Sequence, residues 1–196
     1  MNTDLLLALA LGYLLGSIPF GLVLTRLAGK GDVREIGSGN IGATNVLRTG
    51  SKALAAGTLV LDCLKATAAI LLARQLWPVG ETFAAAGALI GHLYPVWLKF
   101  RGGKGVATLL GIMIPLLWPG ALVYAAVWVG LLAIVRISSV AGMAAAATAP
   151  VSAGLFGAQQ LLPMFLGFAL LVVWKHRANI ARLKAGTEPK VGSRKA

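Results

Sequence analysis

Acid, sulfur and histidine are scarce in this sequence, and each scarcity removes a class of chemistry. Six Asp and Glu residues stand against 18 Lys and Arg, and the carboxylates are too scattered to cradle calcium or magnesium. The single cysteine, Cys63, excludes an internal disulfide and leaves the redox compartment open; it reads most simply as a small apolar packing residue. Two histidines, His92 and His176, give with that cysteine no zinc-ligand spacing. No metal and no cofactor is expected. A G-x-S-x-G elbow is missing too, which removes the usual Ser-His-Asp hydrolase. There is no solenoid repeat. Nor does Met1-Asn2-Thr3-Asp4 carry the positive charge of a cleaved signal, so the first apolar run is expected to stay as a span.

What the chain has in excess is apolar surface. Hydrophobic residues make up 58% and charged residues 12%, with a mean hydropathy of +0.82, whereas soluble domains are apolar in about half their residues. The expected fold is an all-α integral membrane protein. One membrane-embedded domain, residues 1–196, would form a polytopic bundle of about seven transmembrane helices followed by a basic C-terminal tail; the first run has the ~20 residues that cross hydrocarbon, whereas 106–118 is short for a full crossing and suits a half-span or a tilted, thinned region. The apolar runs are 5–24, 53–76, 82–98, 106–118, 120–135, 140–157 and 161–174. Gly12 and Gly16, and again Gly87 and Gly91, have the spacing for close helix approach. Pro19 predicts a kink, and Pro119-Gly120 a break.

Net charge +12 belongs to the segments between these runs, which points to membrane orientation and not to nucleic acid. With the N-terminus outside, every Lys and Arg except Lys65 and Arg74 falls on one side. The positive-inside rule then makes the C-terminus cytoplasmic. Asp62 and Lys65 lie one helical turn apart inside the second run. They either neutralise one another or orient the neighbouring loop.

The polar chemistry is concentrated in a few short stretches. From Gly37 to Arg48 the chain reads GSGNIGATNVLR, in which glycines let main-chain N–H groups converge on an anion. Ser38, Asn40, Thr44 and Asn45 add hydrogen bonds, and Arg48 adds a bidentate charge. The same stretch matches G-x-G-x-x-G, yet its charged lead-in Asp32-Val33-Arg34-Glu35-Ile36 is no buried strand, so a dinucleotide fold is excluded. Gly102-Gly103-Lys104-Gly105 is a second glycine loop. It fails the Walker pattern, with Leu98 in place of the first glycine and Gly105 in place of Ser or Thr, but it places main-chain donors and Lys104 at the start of an apolar helix. Ser138-Ser139 and the segment from His176 to Asn179, whose two residues share a helical face, fall on the same side of the membrane as both loops, so a single cytoplasmic-face site is expected.

Three ordered motifs carry a resemblance that runs over nearly the whole chain. They are the Gly37 to Arg48 stretch, then GHLYPVWLKFRGGKGVAT from Gly91 to Thr108, then HRANIARL from His176 to Leu183. The sequence resembles the bacterial PlsY family of membrane acyltransferases, which move a fatty acyl group from acyl phosphate to the 1-hydroxyl of glycerol 3-phosphate. That resemblance implies lysophosphatidic acid and inorganic phosphate as products in phospholipid biosynthesis, and the bacterial cytoplasmic (inner) membrane as location. It implies Ser38, Arg48 and Lys104 on phosphate with Gly102, Gly103 and Gly105 lining the donor loop, and Ser139, His176 and Asn179 in the core of the site. Ser138 competes with Ser139 for its place. The two substrates and the bilayer are the expected partners, with no nucleic acid. Two rival classes fit less of the chain: an anion transporter would place its site near the midplane between repeats, and a scaffold recruiting anionic lipids through the basic tail leaves both loops unexplained.

Overall fold

A computed structural model describes residues 3–192, so Met1 and Asn2 of the N-terminus and Arg194 and Lys195 of the basic tail lie outside the described residues. All regular structure among them is helical. The chain forms two compact units, Met1–Pro115 and Leu116–Ala196.

In the first unit, α1 (Thr3–Gly16) and α2 (Phe20–Leu27) are separated at Ser17-Ile18-Pro19. The predicted kink is a full interruption, because Pro19 has no N–H to give and its ring clashes with the preceding turn. The pair still covers a 25-residue apolar stretch, Thr3–Leu27, long enough to cross a membrane. After the short α3 (Ala43–Val46) comes α4 (Lys52–Leu76), started by Ser51, whose Oγ accepts from the Leu54 N–H at 3.2 Å. α5 (Glu81–Leu93) and α6 (Val106–Leu116) follow.

Small residues decide how these helices pack. α1 lies on α5, and α4 lies on both. A Cβ at Gly12 or Gly16 would run into the backbone of Ala84 or Ala88, and one at Gly87 or Gly91 into the backbone around Leu9 or Tyr13. The two glycine pairs read from the sequence therefore face one another across a single contact. α6 approaches α4 as closely, with Gly111 against the Cys63 carbonyl and Thr67 Oγ1 donating to the Gly111 carbonyl at 2.8 Å. Beneath the first polar loop, Leu22, Val33, Ile41, Val46 and Ala55 form a small buried cluster, with Leu98 packed on it.

The second unit consists of α7 (Trp118–Val135), α8 (Ser138–Leu155), α9 (Leu162–Lys175) and α10 (Arg177–Lys184). The break predicted at Pro119-Gly120 falls instead at Leu117, since proline fits the first turn of a helix, where its missing N–H costs nothing. α8 packs on both α7 and α9, and its Ala141, Ala145, Ala149 and Ala153, at i, i+4 spacing, are all buried.

Among the described residues three stretches are long and apolar enough to cross a membrane, Thr3–Leu27, Lys52–Leu76 and Trp118–Val135, and a fourth if α9 and α10, bent by 56°, count as one. α5 and α6 have 13 and 11 residues, so at ~1.5 Å per residue they fall short of the ~30 Å hydrocarbon core. Leu6, Leu7 and Leu14 on α1, Leu71, Leu72 and Leu76 on α4, and Leu122, Val129 and Ile134 on α7 are all exposed. Lipid is the solvent that suits such a surface.

Candidate active site

The lead-in to the first loop is fixed by Asp32. Its carboxylate caps a 3₁₀ turn by accepting from the Arg34 N–H at 2.9 Å and takes the Arg34 side chain in a fork at 2.9 and 2.6 Å, with Arg26 at 2.8 Å. The Arg34 guanidinium holds the Asp32 carboxyl well below the usual carboxylate range, against the opposing effect of burial.

Asn45 then gathers the loop. Its amide nitrogen donates to the carbonyls of Val33 (2.7 Å), Ile36 (2.9 Å) and Asn40 (2.8 Å), while Oδ1 accepts from the Ser38 N–H (3.1 Å), Ser38 Oγ (3.3 Å) and Arg48 Nη1 (3.2 Å). Asn45 is buried, and Ser38, Thr44 and Arg48 are exposed around it. Asn40 turns its side chain back onto the Gly42 N–H at 2.9 Å. Gly37 has a φ of 57°, and a Cβ there would strike the Arg48 side chain; glycine at this point lets the arginine lie across the turn. The structure thus brings Ser38, Asn45 and Arg48 into one hydrogen-bonded group.

The second loop leaves the end of α5 by folding back on it. Gly102 donates its N–H to the Leu93 carbonyl at 3.2 Å and Gly103 to the His92 carbonyl at 2.9 Å. Gly103 and Gly105 are buried and Gly102 and Lys104 half-buried, just ahead of α6.

In the second unit the bend between α9 and α10 falls on His176, which is 3% exposed. Its Nδ1 lies 2.7 Å from the Val172 carbonyl. A carbonyl can only accept, so Nδ1 carries the hydrogen and the basic nitrogen of the neutral ring is Nε2. One turn on, Asn179 Nδ2 donates to Glu188 Oε1 at 2.5 Å, and Ser139 Oγ donates to the same oxygen at 2.6 Å. Arg182 Nε completes the set on Oε2 at 2.7 Å.

Between the two serines, Ser139 is the one engaged, with 2% exposure. Glu188 went unnoticed in the sequence because it sits in a tail that reads as basic. The signal available was a lone acid two residues after Gly186, a turn with φ 68°. Beyond it the tail is fastened to the α7–α8 connection, where the Val191 N–H donates to the Arg136 carbonyl at 2.6 Å and Arg136 Nη2 donates to the Val191 carbonyl at 3.1 Å.

These motifs can be set beside known proteins. A profile described as glycerol-3-phosphate acyltransferase matches residues 6–186. The chain belongs to that family. Among its relatives, a glycerol-3-phosphate acyltransferase of Mesorhizobium japonicum is 56% identical over 194 residues, covering 99% of this chain and 100% of its own. One from Rhodopseudomonas palustris is 54% identical over 189 residues, with 96% of each chain covered. The fold matches the crystal structure of PlsY, an integral membrane glycerol 3-phosphate acyltransferase, in its glycerol 3-phosphate form, with a TM-score of 0.89 at 37% identity over 96% of both chains. The lysophosphatidic acid form of PlsY gives 0.84 at the same identity, over 95% of this chain and 94% of that one. The PlsY resemblance carried by the three motifs is therefore correct, and the fold is that of an all-α integral membrane acyltransferase.

Proposed function

We propose that the protein transfers a fatty acyl group from acyl phosphate to the 1-hydroxyl of glycerol 3-phosphate, giving lysophosphatidic acid and inorganic phosphate at the cytoplasmic face of a bacterial inner membrane. Membership of the acyltransferase family supports the acceptor and the reaction class. The observation that carries the chemistry is His176, pinned through Nδ1 so that Nε2 is the basic nitrogen. As the acceptor oxygen attacks the acyl carbonyl, Nε2 takes the hydroxyl proton; the acyl carbon–oxygen bond to phosphate breaks, and the proton passes to the departing phosphate.

The donor is a mixed anhydride, so no nucleophilic side chain is needed. Neutralisation of phosphate charge and alignment provide the rate. Ser38, Asn40, Thr44 and Arg48 take phosphate, with Asn45 shaping their loop, and Gly102, Gly103, Lys104 and Gly105 offer main-chain donors and a point charge. Ser139 and Asn179 act by holding Glu188, and with it the turn after α10. No cofactor or metal takes part in this scheme. A coenzyme A donor would require a pocket for its adenine and 3′-phosphate, and every polar segment of this chain is short.

The test uses purified full-length protein with glycerol 3-phosphate and synthetic palmitoyl phosphate, free of any thioester. Inorganic phosphate should appear in step with lysophosphatidic acid. Comparable turnover with palmitoyl-CoA would defeat the donor assignment, and no lysophosphatidic acid from either donor would defeat the whole reading.

A further inference from the structure

Lys65 lies in the middle of α4, a helix long and apolar enough to cross a membrane, and uses its three ammonium hydrogens on its own helix, on the α1–α2 break and on α5. It donates to Asp62 Oδ1 at 2.6 Å, to the Ile18 carbonyl at 2.8 Å and to His92 Nδ1 at 3.0 Å. The side chains of Lys65, Asp62 and His92 are 2%, 4% and 4% exposed. Charge neutralisation by itself accounts only for the first of these bonds. The second reaches the break between α1 and α2, where Pro19 leaves the chain without a regular helical ladder. The third decides the state of an imidazole, because an ammonium can only donate, so the His92 nitrogen facing it is the bare one and the ring hydrogen is on Nε2.

That ring abuts the glycine loop. A Cβ on Gly103 would collide with Nε2, Cε1 and Cδ2 of His92, and Gly103 also donates its N–H to the His92 carbonyl. The same histidine therefore meets Gly103 with its side chain and its backbone. The segment between α5 and the loop is tied to the α1–α2 break a second time. Tyr13 Oη donates to the Tyr94 carbonyl at 2.9 Å and accepts from the Val96 N–H at 3.0 Å, and Trp97 Nε1 donates to the Ser17 carbonyl at 2.8 Å.

We infer that Asp62, Lys65 and His92 are positioning residues for acyl transfer: the buried lysine fixes the His92 ring, and the ring fixes the Gly102-Gly103-Lys104-Gly105 loop against which phosphate is held. This rests on the proposed function in one respect, that the loop takes phosphate. Ionisable groups at membrane depth are expensive, and a buried ion pair is a weak source of stability. A pair whose lysine also orients the ring behind a glycine loop has a reason to be kept.

The experiment compares full-length wild type with Lys65→Met, the charge-balanced Asp62→Asn/Lys65→Met, and Gly103→Ala, each in lipid bilayers. Two readouts are taken: amide hydrogen exchange at residues 102–105, and KM for palmitoyl phosphate separately from kcat. Lys65→Met leaves the Asp62 carboxylate uncompensated and should lower the melting temperature. The double variant should recover much of that loss, yet both should raise KM by at least about tenfold and speed exchange at the loop by a similar factor. Gly103→Ala, which presses on the ring from the other side, should reproduce the exchange and KM changes. Wild-type exchange and KM in the double variant or in Gly103→Ala would overturn the inference and reduce the pair to charge neutralisation. Should wild type fail to use palmitoyl phosphate, the donor assignment falls while the exchange comparison still decides the role of the network.

Discussion

Asn45 and Arg48 sit three residues apart in one loop, and opposite consequences follow from losing them. Asn45 is buried and supplies the donor for three main-chain carbonyls, so Asn45→Ala should cost at least about 1–3 kcal/mol, the penalty for buried polar groups left unpaired. A fall in thermal unfolding temperature reads this directly; an unchanged midpoint would show the loop is held by other contacts. Arg48 is exposed, so Arg48→Ala should leave stability within about 0.5 kcal/mol. It should instead lower kcat/KM more than ~10-fold, equivalent to over ~1.4 kcal/mol of transition-state stabilisation. Lys104→Ala should behave as Arg48→Ala does, and near-normal kinetics in both would return the two residues to a role in membrane orientation. The residue types of this loop were legible in the sequence because glycines, hydroxyls and amides stand out in an apolar chain. The inward turn of Asn45 was not. It depends on carbonyls 5, 9 and 12 residues away, whose directions no local pattern encodes.

The segment after α10 is a strap fastened at the Glu188 carboxylate and again at Val191. Glu188 has a side chain only 6% exposed; burial pushes its carboxyl up, but hydrogen bonds from Ser139, Asn179 and Arg182 outweigh this and hold it below the ordinary value. A folded-state pKa below the unfolded one gives stability that is present above the unfolded value, about 4.3, and lost as pH falls through the folded value. Wild type should therefore lose melting temperature as pH drops from about 5 towards 3, while Glu188→Gln, less stable at neutral pH, should show a shallower fall. The Asp32 contribution has the same sign and persists in both, so the difference between the curves isolates Glu188; parallel curves would remove it as the cause. Among the helices, the Gly12/Gly16 and Gly87/Gly91 contact was readable because small residues four apart have one main use in a membrane. Gly87→Leu should cost about 1–3 kcal/mol or more by overpacking, checked by thermal unfolding in detergent. The helix ends were less legible: Pro19 interrupts where a kink was expected, and Pro119 sits inside a helix it was expected to precede, because the effect of a proline depends on which turn receives it.

Orientation in the bilayer is a property of the whole chain, and the charges argue for it from both sides. All Lys and Arg except Lys65 and Arg74 occur in segments that would fall on one face if all seven apolar runs crossed, a count that the short α5 and α6 leave to be tested. The two exceptions have partners of their own, since Lys65 pairs with Asp62 inside α4 and Arg74 pairs with Glu81 across the turn that joins α4 to α5. Neither needs to face the cytoplasm. The remaining positive residues lie in the segments that hold the glycine loops and the tail, and the positive-inside rule would put such segments on the cytoplasmic side. The count of spans is what the argument depends on, because inserting or deleting one between the first loop and the tail would place those charges on opposite faces. Single cysteines at Gly50, Gly80 and Val191, each in a Cys63→Ala background, test this directly in sealed cells. Those at Gly50 and Val191 should react with a membrane-impermeant thiol reagent only after the cells are opened, and the one at Gly80 before. Labelling of Gly50 and Gly80 from the same side would mean that α4 does not cross. Exposure of Val191 on the outside would mean that an odd number of crossings separates it from Gly50, and His176 would then be denied to a cytoplasmic substrate.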